Sequence, residues 1–87
     1  MLLHRQILQD WTLVKDLEVD SSQCRTFEYH VVEDLDAERR TLTIKCLDPE
    51  ARTVRLDPLV LSTDTDPASF PDIAQRRVRQ LYRKGKI

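Results

Sequence analysis

The chain has 87 residues, 40% of them hydrophobic and 33% charged, with a net charge of −1; this describes one small globular domain with a modest core rather than a disordered tail. No apolar run approaches the ~20 residues a membrane helix needs, and Met1-Leu2-Leu3 gives way at once to His4, Arg5 and Gln6, so no signal-peptide core is expected and a cytoplasmic location is. Cys24 and Cys46 are too few for a disulfide framework and lack C-x-x-C spacing, which leaves free thiols as the expectation.

In chain order, Leu3, Ile7, Leu8 and Trp11 sit at helical spacing, compatible with a short N-terminal helix over residues 1–10. Trp11, Leu13, Leu17 and Val19 then alternate with Thr12, Asp16 and Glu18, the period-2 pattern of a half-buried strand. Lys15 is the one exception on that apolar face. Asp20-Ser21-Ser22-Gln23 reads as a turn.

Arg25–Leu47 carries the clearest signal. Phe27, Tyr29 and Val31 alternate with Thr26, Glu28 and His30, and Leu42, Ile44 and Cys46 alternate with Thr41, Thr43 and Lys45. Placing Val31 opposite Leu42, Tyr29 opposite Ile44 and Phe27 opposite Cys46 also sets Glu28 against Lys45 and Glu33 against Arg40. Apolar partners and opposite charges agree in a single hairpin register, and a one-residue slip breaks all of them. Gly85 is the only glycine and there is no Asn, so primed two-residue turns, which favour those residues, are not expected. Type I turns or longer loops should serve instead, at Asp20–Gln23, Asp34-Leu35-Asp36-Ala37 and Asp48-Pro49-Glu50.

Beyond the hairpin, Thr53–Leu56 reads as a strand with Val54 and Leu56 inward. Pro58 interrupts it, and Leu59-Val60-Leu61 fits an edge strand or a cover over the sheet. The stretch Arg52-Thr53-Val54-Arg55-Leu56-Asp57-Pro58-Leu59 resembles late strands of small SH3- or Sm-like barrels in bacterial regulators, including WYL-type domains. The likeness spans these eight residues only, and implies a strongly curved or barrel-like sheet and a regulatory role. Residues 62–67 form a polar linker. Asp66 before Pro67, and Ser69 with Asp72 three positions on, are two overlapping helix-start signals. Ala74, Val78, Leu81 and Tyr82 share one helical face, and Lys84 with Gly85 closes the helix. The fold class expected is α+β: an antiparallel meander of four to five strands over residues 11–61 and a basic amphipathic helix over 68–85.

Charge is divided along the chain. Residues 73–87 hold Arg76, Arg77, Arg79, Arg83, Lys84 and Lys86 and no acid, while the remainder holds eight basic and fifteen acidic residues, a charge of −7. A basic helix of this kind suits a polyanion or an acidic protein surface, and an excess of Arg over Lys favours planar carboxylate or phosphate partners. Its bland alternative is a helix docked on its own acidic sheet. Glu33, Asp34, Asp36 and Glu38 form an acidic tip that lacks the turn-making Gly of a calcium loop and is followed directly by Arg39-Arg40; a solvated tip, or a docking knob for a basic partner, is expected rather than a metal site. His4, His30 and Cys24 show no spacing that assembles a nucleophilic site, and no phosphate-loop, GxSxG or HExxH motif is present. Neither catalysis nor a cofactor is expected. What remains is a non-catalytic protein-binding, inhibitor or regulatory module of the kind phages and mobile elements encode, contacting a larger partner or a second copy as a homodimer. The rival is a nucleic-acid-binding regulator that uses the Arg-rich helix.

Overall fold

The computed structural model describes residues 4–47 and 53–87. Its strands are β1 (Arg5–Asp20), β2 (Gln23–Asp34), β3 (Arg39–Leu47), β4 (Thr53–Arg55) and β5 (Leu59–Leu61), followed by a 3-10 turn (Pro67–Ser69) and α1 (Phe70–Arg83). The strands form one five-stranded antiparallel sheet in the order β1-β2-β3-β4, with β5 also paired to β3. β4 pairs with Lys45–Leu47 and β5 with Arg40–Leu42, along the same edge of β3. The two are one edge strand broken at Pro58, whose missing N–H cannot join a ladder. The sheet is open, not closed into a barrel. The expected Asp48-Pro49-Glu50 turn lies outside the described residues.

The β2–β3 register is the one the alternation demands: Phe27 faces Cys46, Tyr29 faces Ile44, Val31 faces Leu42, Glu28 faces Lys45 and Glu33 faces Arg40. This inner face receives α1. Phe27, Tyr29, Val31, Leu42 and Ile44 are buried together with Phe70, Ala74, Val78 and Leu81 of the helix and Leu17 and Val19 of β1. The helical positions recur every three or four residues, which is the stripe an amphipathic helix lays on a sheet.

Two expectations for β1 are corrected. Residues from Arg5 onwards are strand, not helix: pairing with Val31–Asp34 satisfies their backbone groups across β2, and a short helix alone would be marginal. Residues 1–3 lie outside the described residues. The second correction is one of parity. β1 pairs with β2 through four register shifts, one of them between Val14 and Leu17. Asp16, at that bulge, has φ 55°, and its N–H donates to Thr26 Oγ1 at 3.2 Å. Such an extra residue flips the facing of the residues before it as far as the next shift. Leu17 and Val19 therefore point inward, while Trp11 and Leu13 face outward, and Lys15 marks the crossover rather than an intruder in the core. Val54 also departs from expectation, being 45% exposed although Leu56 is buried. It pairs with Cys46 at the sheet edge, beyond the cover of the helix.

The turns use side-chain oxygens where glycine is missing. Asp20 Oδ1 accepts from the Ser22 N–H at 2.7 Å, closing the tight Ser21-Ser22 connection without positive φ at either serine. At the next turn Asp34 Oδ1 accepts from the N–H groups of Asp36 (3.1 Å) and Ala37 (3.2 Å), and Glu38 takes the left-handed position at φ 49°. Asp66 Oδ1 caps the 3-10 turn through the Ala68 N–H at 3.0 Å. Ser69 makes no side-chain cap; its hydroxyl donates to the Asp66 carbonyl instead. At the other end Gly85 (φ 71°) sends its N–H to the Tyr82 carbonyl and Lys86 to Leu81, a Schellman closure.

Candidate functional site

The six cations of the C-terminal stretch are not equivalent once folded. Arg79 Nε donates to the Glu18 carbonyl at 3.2 Å, so this side chain ties the helix to β1. Tyr82 lies beside it: its hydroxyl donates to Asp20 Oδ2 at 2.8 Å, and the Arg25 guanidinium sits over its ring. The Ser22 N–H, the Tyr82 hydroxyl and the Ser22 hydroxyl hold the Asp20 carboxyl below its usual range, and the same hydrogen bond pushes the Tyr82 phenol up. This side of α1 is a structural seam.

The opposite side faces the broken edge strand. Arg76, Arg83, Lys84 and Lys86 are exposed and Arg77 half-buried, and none of the exposed four has a side-chain ion pair among the described residues. Two shallow depressions, of about 450 and 420 Å³, lie between α1 and the edge. The first is lined by Leu59, Ile73, Arg76, Arg77, Gln80 and Arg83. The second runs past Val54, Leu56 and Leu81 and is rimmed by Arg55, Arg77, Lys84 and Lys86, with Asp57 the one acid among the described residues. Arg77 borders both. Among the described residues its Nε is buried without an acceptor, and its side chain makes a long 3.4 Å approach to Gln80 Oε1. Arg55 is the cation that the sequence alone did not connect to the helix; only the pairing of Lys45 with Arg55 puts it at this edge.

The acidic tip is a different kind of place. Glu33 is paired with Arg40 at 3.3 Å, both side chains being only about 15% exposed, and Arg40 also donates to the Thr65 carbonyl at 2.8 Å. Asp34 closes its own turn, and Asp36 Oδ1 accepts from His4 Nδ1 at 2.8 Å. Three of the four expected docking acids thus have partners within the chain. Among the described residues no group of three or more His, Cys, Asp or Glu side chains is placed to hold a metal ion.

The sheet's uncovered face carries a cluster that the inward assignment of Trp11 had hidden. The His30 ring stacks on Trp11 at 3.9 Å, and Lys45 Nζ lies over the same indole at 4.0 Å from its centroid. Both groups engage the Trp11 ring system. Burial, then the charges of Lys45 and Arg55, pull the His30 imidazole below its ordinary value, with Asp10 opposing. Cys24 is exposed and Cys46 buried, and both are free thiols.

These features define a small α+β domain: an open antiparallel sheet with one helix across one face and a cationic groove at the edge. No helix among the described residues is long and apolar enough to cross a membrane. No family model matches the chain, and neither a curated protein nor a solved structure matches it.

Proposed function

We infer that this domain is a non-catalytic protein-binding module, regulatory or inhibitory in effect and cytoplasmic in setting, which engages a larger partner through its basic groove. One observation carries the reading. The charge division of the sequence becomes one-sided in space: the acids at the tip are largely engaged within the chain, whereas Arg55, Arg76, Arg77, Arg83, Lys84 and Lys86 gather around a groove lined, among the described residues, by a single acid. A field of one sign with little internal compensation steers and orients a complementary surface.

Nucleic acid is the competing partner, since phosphates suit the same arginines. Two features favour protein. Binding to single strands leans on aromatic platforms, and here Trp11 is already stacked on His30 with Lys45 over its ring, while Tyr82 is held by Asp20 and Arg25. The rest of the chain also carries −7, which repels a long phosphate backbone. The test is fluorescence anisotropy with labelled polyglutamate and with mixed-sequence single- and double-stranded DNA and RNA, at low and physiological salt. Salt-sensitive binding of polyglutamate that is abolished by Arg76→Glu with Arg83→Glu supports the reading. Tighter binding of nucleic acid than of polyglutamate, lost in the same variant, replaces it with the nucleic-acid regulator; no binding of either polyanion overturns both.

A further inference from the structure

The groove is not uniformly charged. Its floor is hydrocarbon, with Leu59 and Ile73 in one half and Val54, Leu56 and Leu81 in the other, and its rim is cationic. Its length is set by α1: from Ile73 to Lys84 the helix advances about 16 Å at ~1.5 Å per residue. An extended peptide covers that distance with about five residues at ~3.3 Å each. Successive side chains of such a peptide point to opposite sides, so one side can lie on the apolar floor while the other reaches the rim. Arg76 and Arg83, seven residues apart, stand roughly 10 Å from one another along the axis, a span that alternate residues of an extended strand bridge in one or two steps.

We propose that the groove between α1 and the β4–β5 edge receives an extended segment of a partner protein in which acidic and apolar residues alternate. This rests on the protein-binding reading above and names the chemistry of the partner. Carboxylates meet Arg76, Arg83 and Lys84 at the rim, where paired hydrogen bonds to guanidinium give orientation as well as attraction. One carboxylate reaches Arg77, which borders both halves of the groove and whose guanidinium, among the described residues, has only the long contact to Gln80. Backbone pairing contributes little, because the edge is broken at Pro58 and β4 and β5 have three residues each. Recognition therefore comes from side chains, and sequence matters more than extended shape alone.

Two labelled seven-residue peptides of equal charge separate this from general electrostatics: one alternating Glu with Leu or Val, and one with Ser at every apolar position. The alternating peptide is expected to bind at least tenfold tighter, and the advantage is expected to survive physiological salt because floor contacts are not screened. Leu59→Ser should erase most of that advantage while leaving the Ser-containing peptide unchanged. Arg77→Gln should weaken both peptides, and Arg76→Glu, at an exposed position, should do so without disturbing the melting temperature. Equal affinity for the two peptides overturns the proposal while polyglutamate binding keeps the broader reading intact. A (dT)12 oligonucleotide that outcompetes the alternating peptide overturns both. So does an apparent affinity for the peptide that falls as the protein concentration rises, since a second copy would then be competing for the groove.

Discussion

Truncating Val78 tests whether α1 is held by the sheet or merely lies on it. Val78 is fully buried at 0% exposure, facing the β2–β3 hairpin, whereas Val54 on the same inner side is 45% exposed. Val78→Ala removes two methyl groups, worth about 0.8 kcal/mol each in transfer, and the unfilled space raises the cost to about 2–3 kcal/mol. Alanine is the better helix former by about 0.5 kcal/mol, which leaves a net loss of about 1.5–2.5 kcal/mol. Against about 4–13 kcal/mol for a domain of 87 residues, that is a large fraction, equivalent to a fall in melting temperature of roughly 10 °C. Val54→Ala should cost less than about 0.5 kcal/mol. Urea denaturation followed by circular dichroism measures both, with an unchanged slope expected for each. Equal losses for the two variants, or a loss below about 0.5 kcal/mol for Val78→Ala, would refute the packing described for the helix.

Glu38 occupies the left-handed region at φ 49°, which costs an L-residue about 1–2 kcal/mol; Glu38→Gly should therefore stabilise by about 0.5 kcal/mol after the added entropy of the unfolded chain, and Glu38→Val should destabilise, as urea midpoints will show. Burial pushes the Cys46 thiol up, with Arg25 opposing, while Cys24 is exposed; one thiol should react with a disulfide reagent in native buffer and two in denaturant. Asp20 has its carboxyl depressed from 3.8 in the fold, so its contribution to stability is complete above that unfolded value and is lost as pH falls through the lower folded one. The stability gap between the parent and Asp20→Asn should accordingly close on acidification from pH 7 to pH 2, and a gap that stays constant would show that the carboxylate is not engaged.

The central hairpin was legible because two independent signals coincide in it. Alternation fixes the face, and the Glu28–Lys45 and Glu33–Arg40 pairs fix the register. The end of α1 was equally plain, since Gly85 has no competing reason to follow a basic last turn. β1 was misread for a physical reason: a bulge inserts a residue without leaving a glycine or proline as its mark, and Asp16 tolerates positive φ with only Lys15 out of pattern to betray it. Val54 had the correct parity but no cover, a matter of where the helix ends rather than of local sequence. The groove was half visible. Its helical cations were apparent from composition, but Arg55 arrives through β3–β4 pairing, and the engagement of Asp36 with His4 joins residues 32 positions apart. Composition counted these acids correctly and could not say whether they were spoken for.

The tie between α1 and β1 has a consequence for how the chain is made. Tyr82 and Asp20 meet across 62 residues, whereas β1, β2 and β3 are joined by turns of a few residues and can pair as soon as each follows its neighbour. During synthesis the sheet precedes the helix that covers it, so Phe27, Tyr29, Val31, Leu42 and Ile44 wait bare until residues up to Leu81 have followed. At ~5–20 residues per second, the stretch from the end of β5 to the end of α1 takes about one to four seconds. For that interval a paired sheet holds its apolar face open to water, a face that α1 later closes.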